Sequence, residues 1–233
     1  MAPTTARGGL PPTLWEGADG PTIERLVGAI PDPGRSAALQ ALWRQVWTHR
    51  APAPEGAKQF EAIRFEAFWR AGLVGEIVAR AKAVDASDPL VALMLARAEI
   101  ALGERETGCA RARPVAAHMK SLVPALAAEA LVMSSYCATS AKGRGAAELA
   151  AGLLRESKVD APIPLAVLDA LSGSVRGSPQ LPRVVRAIDY RFLELGGTVD
   201  AAALVERAEP ALLAILAELP GDPRGRVLAA EAA

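Results

Sequence analysis

Apolar residues recur at helical spacing along nearly the whole chain. Gly20-Pro21 opens a short helix whose apolar face is Ile23, Leu26, Val27 and Ile30, with proline at a first-turn position where its missing N–H costs nothing. Pro31-Asp32-Pro33-Gly34 ends it. Ser36 predicts an N-cap for a second helix reaching about Thr48, on which Leu39, Leu42, Trp43, Val46 and Trp47 keep helical spacing. The proline-bearing segment 51–56 is a linker.

Helical hairpins are predicted from Lys58 onward. Phe60, Ile63, Phe65, Phe68 and Trp69 mark a helix ended by Gly72, and Ile77 to Val84 its return. Asp88-Pro89 starts a third such helix, carrying Leu90, Leu93, Met94 and Ile100 as far as Gly103; Thr107 to about Met119 returns. Pro124 starts another, with Leu126, Leu131, Val132 and Tyr136 apolar, and Gly143-Arg144-Gly145 is a turn before Ala146–Arg155. Gly72 and Gly103 stand 31 positions apart, each followed nine residues later by alanine within Ala-Arg-Ala. Glycine permits the left-handed turn and alanine permits close helix packing, so the pattern reads as a weak internal repeat.

The expected fold is therefore all-α: an array of antiparallel helical hairpins, a degenerate tetratricopeptide-like solenoid. Residues 1–13, rich in Pro, Thr and Gly, read as disordered. Residues 14–156 form the hairpin region. After Ser157 prolines and glycines become frequent, and shorter helices are predicted at about Pro164–Leu171, Leu181–Leu195, Asp200–Arg207, Pro210–Glu218 and Pro223–Ala232. Residues 157–233 are thus a continuation of the array or a second helical subdomain. They stop inside a predicted helix, as in a truncated chain.

Composition agrees with helices. Hydrophobic residues make up 51% of the chain but aromatics only 4%, and the apolar content is mostly the helix formers Ala and Leu, with Val. Charge removes two function classes. Twenty-six basic residues balance 26 acidic ones, leaving no global field for nucleic acid or an anionic membrane surface. The most apolar stretch, Leu122–Ala138, contains Pro124 and Glu129 and falls short of a ~20-residue span. The first twelve residues lack the apolar core of a signal peptide.

Candidate chemistry is sparse. No phosphate-binding glycine loop is present, and Ser172-Gly173-Ser174-Val175-Arg176-Gly177 does not fit a nucleophile elbow. His49 and His118 have no metal-spaced partners, and two cysteines cannot assemble a structural zinc set. Cys109 and His118 are nine residues apart on one predicted helix, about 13 Å along its axis, too far for a nucleophile–base pair. No catalytic residue, cofactor or metal site is predicted. Seven of the ten aromatics precede residue 70, and Trp43/Trp47 and Phe65/Trp69 are each spaced to share a helix face. They are either the N-terminal core or an exposed anchor for a partner protein, in which Trp43, Trp47 and Trp69 act with Arg44 and Arg50.

Several segments resemble one family: Leu14-Trp15-Glu16-Gly17, the Phe65–Gly72 helix, the Cys109/Cys137 pair, residues 187–196, and Ala208-Glu209-Pro210-Ala211-Leu212-Leu213. Together they are similar to uncharacterised, alanine-rich helical envelope proteins of Gram-negative bacteria. Members of that family are longer and begin with an export signal. The resemblance spans most of residues 14–233 and implies an exported protein, without supplying an active site.

The cysteines support export on separate grounds. Cys109 and Cys137 lie equidistant from residue 123, inside the Ser121–Pro124 turn. Fourteen helical residues on either side is about 21 Å, so the thiols come level across an antiparallel hairpin. Pro114 between them is positioned to kink the first helix. The alternatives are a disulfide, which implies the periplasm, or two buried free thiols, which would fit the cytoplasm. The expected function is a non-enzymatic helical-repeat scaffold that binds another protein in the cell envelope. The alternative is a helical ligand-binding or enzymatic domain whose site is assembled from residues distant in sequence. A closed polar pocket with convergent titratable groups favours the alternative, an open groove the scaffold.

Overall fold

Several helices in this chain start on side-chain caps. Asp88 Oδ1 accepts from the N–H groups of Leu90 (2.7 Å) and Val91 (3.3 Å), and Pro89 takes the first helical position, so donors orphaned at a helix start are satisfied. Ser36 Oγ accepts from Leu39 N in the same way, at 3.4 Å, and Asp19 Oδ1 from Thr22 N at 2.7 Å. The computed structural model describes residues 9–29, 36–57, 59–139, 143–174, 181–197, 201–218 and 223–232. The predicted break at Pro31–Gly34 and most of the loop after Gly173 lie outside them.

The protein is all-α. The helices are α1 (Gly20–Ala29), α2 (Ala37–Thr48), α3 (Phe60–Arg70), α4 (Val74–Ala79), α5 (Pro89–Ala101), α6 (Arg105–Ala117), α7 (Pro124–Ala138), α8 (Gly143–Glu156), α9 (Pro162–Ser172), α10 (Ala187–Gly196), α11 (Ala201–Val205), α12 (Pro210–Glu218) and α13 (Pro223–Ala232). Among the described residues no helix is long and apolar enough to cross a membrane.

Three boundaries differ from the sequence pattern. The return after Gly72 ends at Ala79, where the chain tightens into turns (Ala81 N to Val78 O, Ala83 N to Arg80 O) ahead of an Asp85 side chain that accepts from Ser87 N. α10 begins at Ala187 rather than Leu181. Val185 is instead paired with the segment before α12, its N–H donating to Arg207 O and its carbonyl accepting from Glu209 N. α8 begins at Gly143 rather than Ala146. The segment 1–13, expected to be disordered, is described only from residue 9. There Pro11 O lies 3.0 Å from a His49 ring nitrogen and accepts from Leu14 N.

α5 is buried along every residue from Val91 to Ala101, the mark of a central helix. It packs against α3, α4, α6 and α10. Glu99, buried inside it, accepts a bidentate pair from Arg111 of α6 at 2.8–3.1 Å, a geometry that offsets the cost of burying the charge. α6 packs on α7, α7 on α8, α8 on α9 and α9 on α10. In a linear array each unit would meet only its neighbours. Here α10 also returns to α5, and α12 packs on both α10 and α3. α3, α5, α10 and α12 thus meet in a closed cycle, and one core runs from Ile23 to Ala229.

Two contacts fasten the return. Arg191 of α10 donates through Nε (2.9 Å) and Nη2 (2.6 Å) to the carbonyl of Ala101, placing a cation at the negative end of α5. Its guanidinium lies over Gly103, where an added Cβ would stand 3.3 Å from Nη2. At Gly72 an added Cβ would stand 2.8 Å from Pro210 O. Both glycines have positive φ, 72° and 88°. The two turns that carry the repeat signal are therefore where the C-terminal helices dock.

Candidate functional site

The closed cycle leaves a cavity of about 280 Å³ on its α7 side. Its walls come from α3, α5, α7, the α8–α9 link, the start of α10 and the residue before α12. Val132 and Ile188 are buried and form its apolar floor with Trp69; Ala125 and Asp160 are exposed at its rim. Arg97, Glu129, Arg186 and Glu209 bring charge to it.

Arg97 is held on three sides. Its Nη2 donates to Glu66 at 2.9 Å, its Nη1 lies 3.4 Å from Glu129, and its guanidinium carbon sits 4.0 Å from the Trp69 ring centroid. Burial works against its charge, but Glu129 and Glu66 outweigh that and hold it above the ordinary arginine value. Arg186 is bound by Asp189 at 2.7 and 2.9 Å, and chiefly this bond raises its pKa. Glu209 stands one residue ahead of α12. Its Oε1 accepts from Ala187 N at 2.7 Å and its Oε2 from Trp69 Nε1 at 3.3 Å. Burial pushes its carboxyl above the ordinary glutamate value; those two donors and Arg97 pull the other way, and Glu129 adds to the rise.

The partner-binding candidates divide. Trp47 (4% exposed) and Trp69 (6%) are core residues, so neither ring is an exposed anchor: Trp47 packs between Trp15 and Phe60 with centroids at 5.2 and 6.5 Å. Trp43 is half-buried, lies tilted against Trp47 with ring centroids 5.9 Å apart and donates its indole N–H to Ala67 O at 2.8 Å. Arg44 and Arg50 are exposed, Arg44 lying 3.6 Å from Glu76. The structure thus joins the tryptophans to the core and leaves only the arginines outward, because burying large rings contributes more than displaying them.

Cys109 and Cys137 form a disulfide joining α6 to α7, with Cα atoms 5.5 Å apart. Pro114 does not break α6, which runs on to Ala117. Beside the bridge, Arg105 lies over the Tyr136 ring at 4.2 Å and donates to Tyr136 O and Thr139 Oγ1 at the end of α7. Among the described residues no group of three His, Cys, Asp or Glu side chains is placed to hold a metal ion.

Hollows also lie elsewhere on the molecule. A depression of about 690 Å³ lies between loop residues 12–19 and 52–55, but it is formed of surface turns and its Asp19 is occupied as a helix cap. A groove of about 380 Å³ is lined by Val27, Ala62, Ile63, Leu90, Met94 and Leu126. Comparison of the chain with protein-family models, curated proteins and solved structures gives no match.

Arg97, Glu129, Arg186 and Glu209 were not singled out from the sequence. A signal existed: Arg97 and Glu129 each interrupt an otherwise apolar helical run, and an ionisable group in such a run needs a partner. The carboxylates that pair with Arg97, Glu66 and Glu129, lie 31 and 32 positions away and the Trp69 donor to Glu209 lies 140 away, beyond any spacing rule.

Proposed function

We propose that the protein is a ligand-binding helical protein of an oxidising compartment, the periplasm in a bacterium, and that it binds its ligand without transforming it. The observation that carries this reading is the convergence of Trp69, Arg97, Glu129, Arg186 and Glu209 on one cavity. A concave site with an apolar floor and a few convergent polar groups is the usual form of a small-molecule pocket. The disulfide is compatible with export, as is the family resemblance. Binding is favoured over chemistry because the charged groups are committed to the scaffold. Both Glu209 oxygens accept from backbone or indole donors, and Arg97 spans two carboxylates.

The test is a thermal-shift screen of small polar molecules against the whole chain and against Ala125→Trp, a rim substitution that fills the mouth. Ligands that stabilise the parent and lose that effect in the variant support the reading. Stabilisation that Ala125→Trp leaves unchanged places the site elsewhere.

A second reading keeps a protein partner. Leu39 and Leu42, three residues apart on α2, are each about half exposed (53% and 51%) on the helix that carries Arg44. Affinity capture with the parent and a Leu39→Glu, Leu42→Glu variant tests it: a partner retained by both proteins excludes this face.

A further inference from the structure

Resting on the ligand-binding reading above, we infer that the ligand is a neutral amphiphile, an aliphatic chain headed by a carboxamide or hydroxyl. Its head enters the α3–α5–α7–α10 cavity at Arg97, and its chain lies in the apolar groove beside it. The two hollows follow one another along the same three helices. α3 gives Ala62 and Ile63 to the groove and Trp69 to the cavity; α5 gives Met94 and then Arg97; α7 gives Leu126 and then Glu129. Glu66 belongs to the groove wall and Arg97 to the cavity wall, and the two pair at 2.9 Å. The Glu66–Arg97–Glu129 triad therefore stands where the hollows meet.

At that junction one donor lacks an acceptor. Arg97 is 9% exposed. Its Nη2 donates to Glu66 and its Nη1 lies 3.4 Å from Glu129, but its Nε is buried with no hydrogen-bond partner among the described residues. The planar fork puts the Nε hydrogen on the same edge as Nη2, so it faces the junction on the Glu66 side. A buried donor left unpaired is costly, and an oxygen brought by a ligand removes that cost. Glu66 is the member of the triad that yields to admit it, since its side chain is 41% exposed. The head has to accept, which excludes an ammonium. A carboxylate head would meet Glu66, Glu129 and Glu209 around the same guanidinium. A carboxamide or hydroxyl accepts from Nε and donates to a carboxylate, so neither group loses water without a replacement. The groove supplies the apolar remainder, and its own cation, Arg70, is spent on the Val27 carbonyl. Its volume of about 380 Å³ corresponds to roughly a dozen waters, more than a chain of about six carbons needs.

The test uses four probes of nearly one size: hexanamide, 1-hexanol, hexanoate and n-hexylammonium. Each is titrated into the whole, oxidised chain and followed at both ends. The Trp69 indole N–H reports the cavity and the Met94 methyl the groove, assigned through Trp69→Phe and Met94→Leu. The expected result is saturable movement of both signals with the amide and the alcohol, and at least tenfold weaker binding of the two ions. Arg97→Lys keeps the charge and removes Nε, and should weaken the neutral probes about tenfold, the scale of one hydrogen bond to a charged group. Gly28→Leu adds a side chain to the groove wall at an exposed position of α1 where a Cβ meets nothing within 4 Å. It leaves the fold intact and should abolish binding, which keeps the inference testable if Arg97→Lys fails to fold. Hexanoate or hexylammonium bound as tightly as the neutral probes overturns the neutral head. Neutral-probe binding unchanged in a folded Arg97→Lys overturns the contact with Nε. Binding that survives Gly28→Leu but is lost in Ala125→Trp overturns the groove and keeps the cavity as a ligand site. Silence from all four overturns the inference, while the ligand-binding reading stands or falls on its own screen.

Discussion

Trp69 takes part in three interactions that meet nowhere else: its ring lies under Arg97, its indole N–H reaches Glu209, and its body fills the core beside α12. Trp69→Ala should cost roughly 3–5 kcal/mol, the range for large-to-small core changes, whereas Trp69→Phe should cost nearer 1 kcal/mol by losing one hydrogen bond. Denaturant melts of both variants check this, and an unchanged midpoint for Trp69→Ala would place the ring outside the core. Glu209 makes the pH prediction. Its folded pKa lies above the ordinary value of 4.5, so between the unfolded and folded values the native state holds the extra proton. Stability from this group is greatest below the unfolded value and falls as pH rises through that window. The groups facing it are Trp69 on α3, Arg97 on α5, Glu129 on α7, and Arg186 with the Ala187 N–H at the start of α10. In Glu209→Gln that fall should vanish, read as a flatter dependence of the unfolding midpoint on pH above about 4.5. Parallel pH profiles for parent and variant would remove Glu209 as the source.

Helices were legible where a local signal sets them. The Asp88-Pro89 cap, the glycine stops at 72 and 103 and the Pro124 start lie where the pattern put them, because caps and breakers act within four residues. The cysteine pairing was legible for a related reason: two helices and one short turn fix their relative height. Reduction of that bridge should destabilise the protein by roughly 3–4 kcal/mol for a loop of this length, and thiol titration of the denatured, unreduced chain should find none free. Two free thiols per chain would refute the bridge. Illegible were the boundaries decided by distant partners. Residues 181–186 carry helix-compatible residues, yet Val185 gives its N–H to Arg207 O, a competitor that only the folded chain supplies. The site failed for the same reason, since Arg97, Glu129 and Glu209 become a group only when α12 lies on α3.

At the scale of the molecule the consequence is closure. A linear array of repeats loses one end unit and keeps the others, because its stability is close to a sum of local terms. Here the last helices are not an end. Glu209 satisfies Trp69 and the first N–H of α10, Pro210 covers Gly72, and the buried Leu212, Ile215 and Leu216 of α12 belong to the core that also holds Phe65 and Phe68. Removing residues 198–233 would expose the faces of α3 and α10 and leave the Trp69 and Ala187 donors without their acceptor. That loss is on the order of a whole domain's 5–15 kcal/mol. A fragment of residues 1–197 should therefore keep helical circular dichroism while losing a sharp thermal transition and binding a hydrophobic dye, as loosely packed states do. The disulfide lies within the fragment and cannot rescue it, because the bridge joins α6 to α7 and not α3 to α5. A fragment that melts cooperatively near the temperature of the whole chain would show that the hairpins stand alone and that closure by α12 is dispensable.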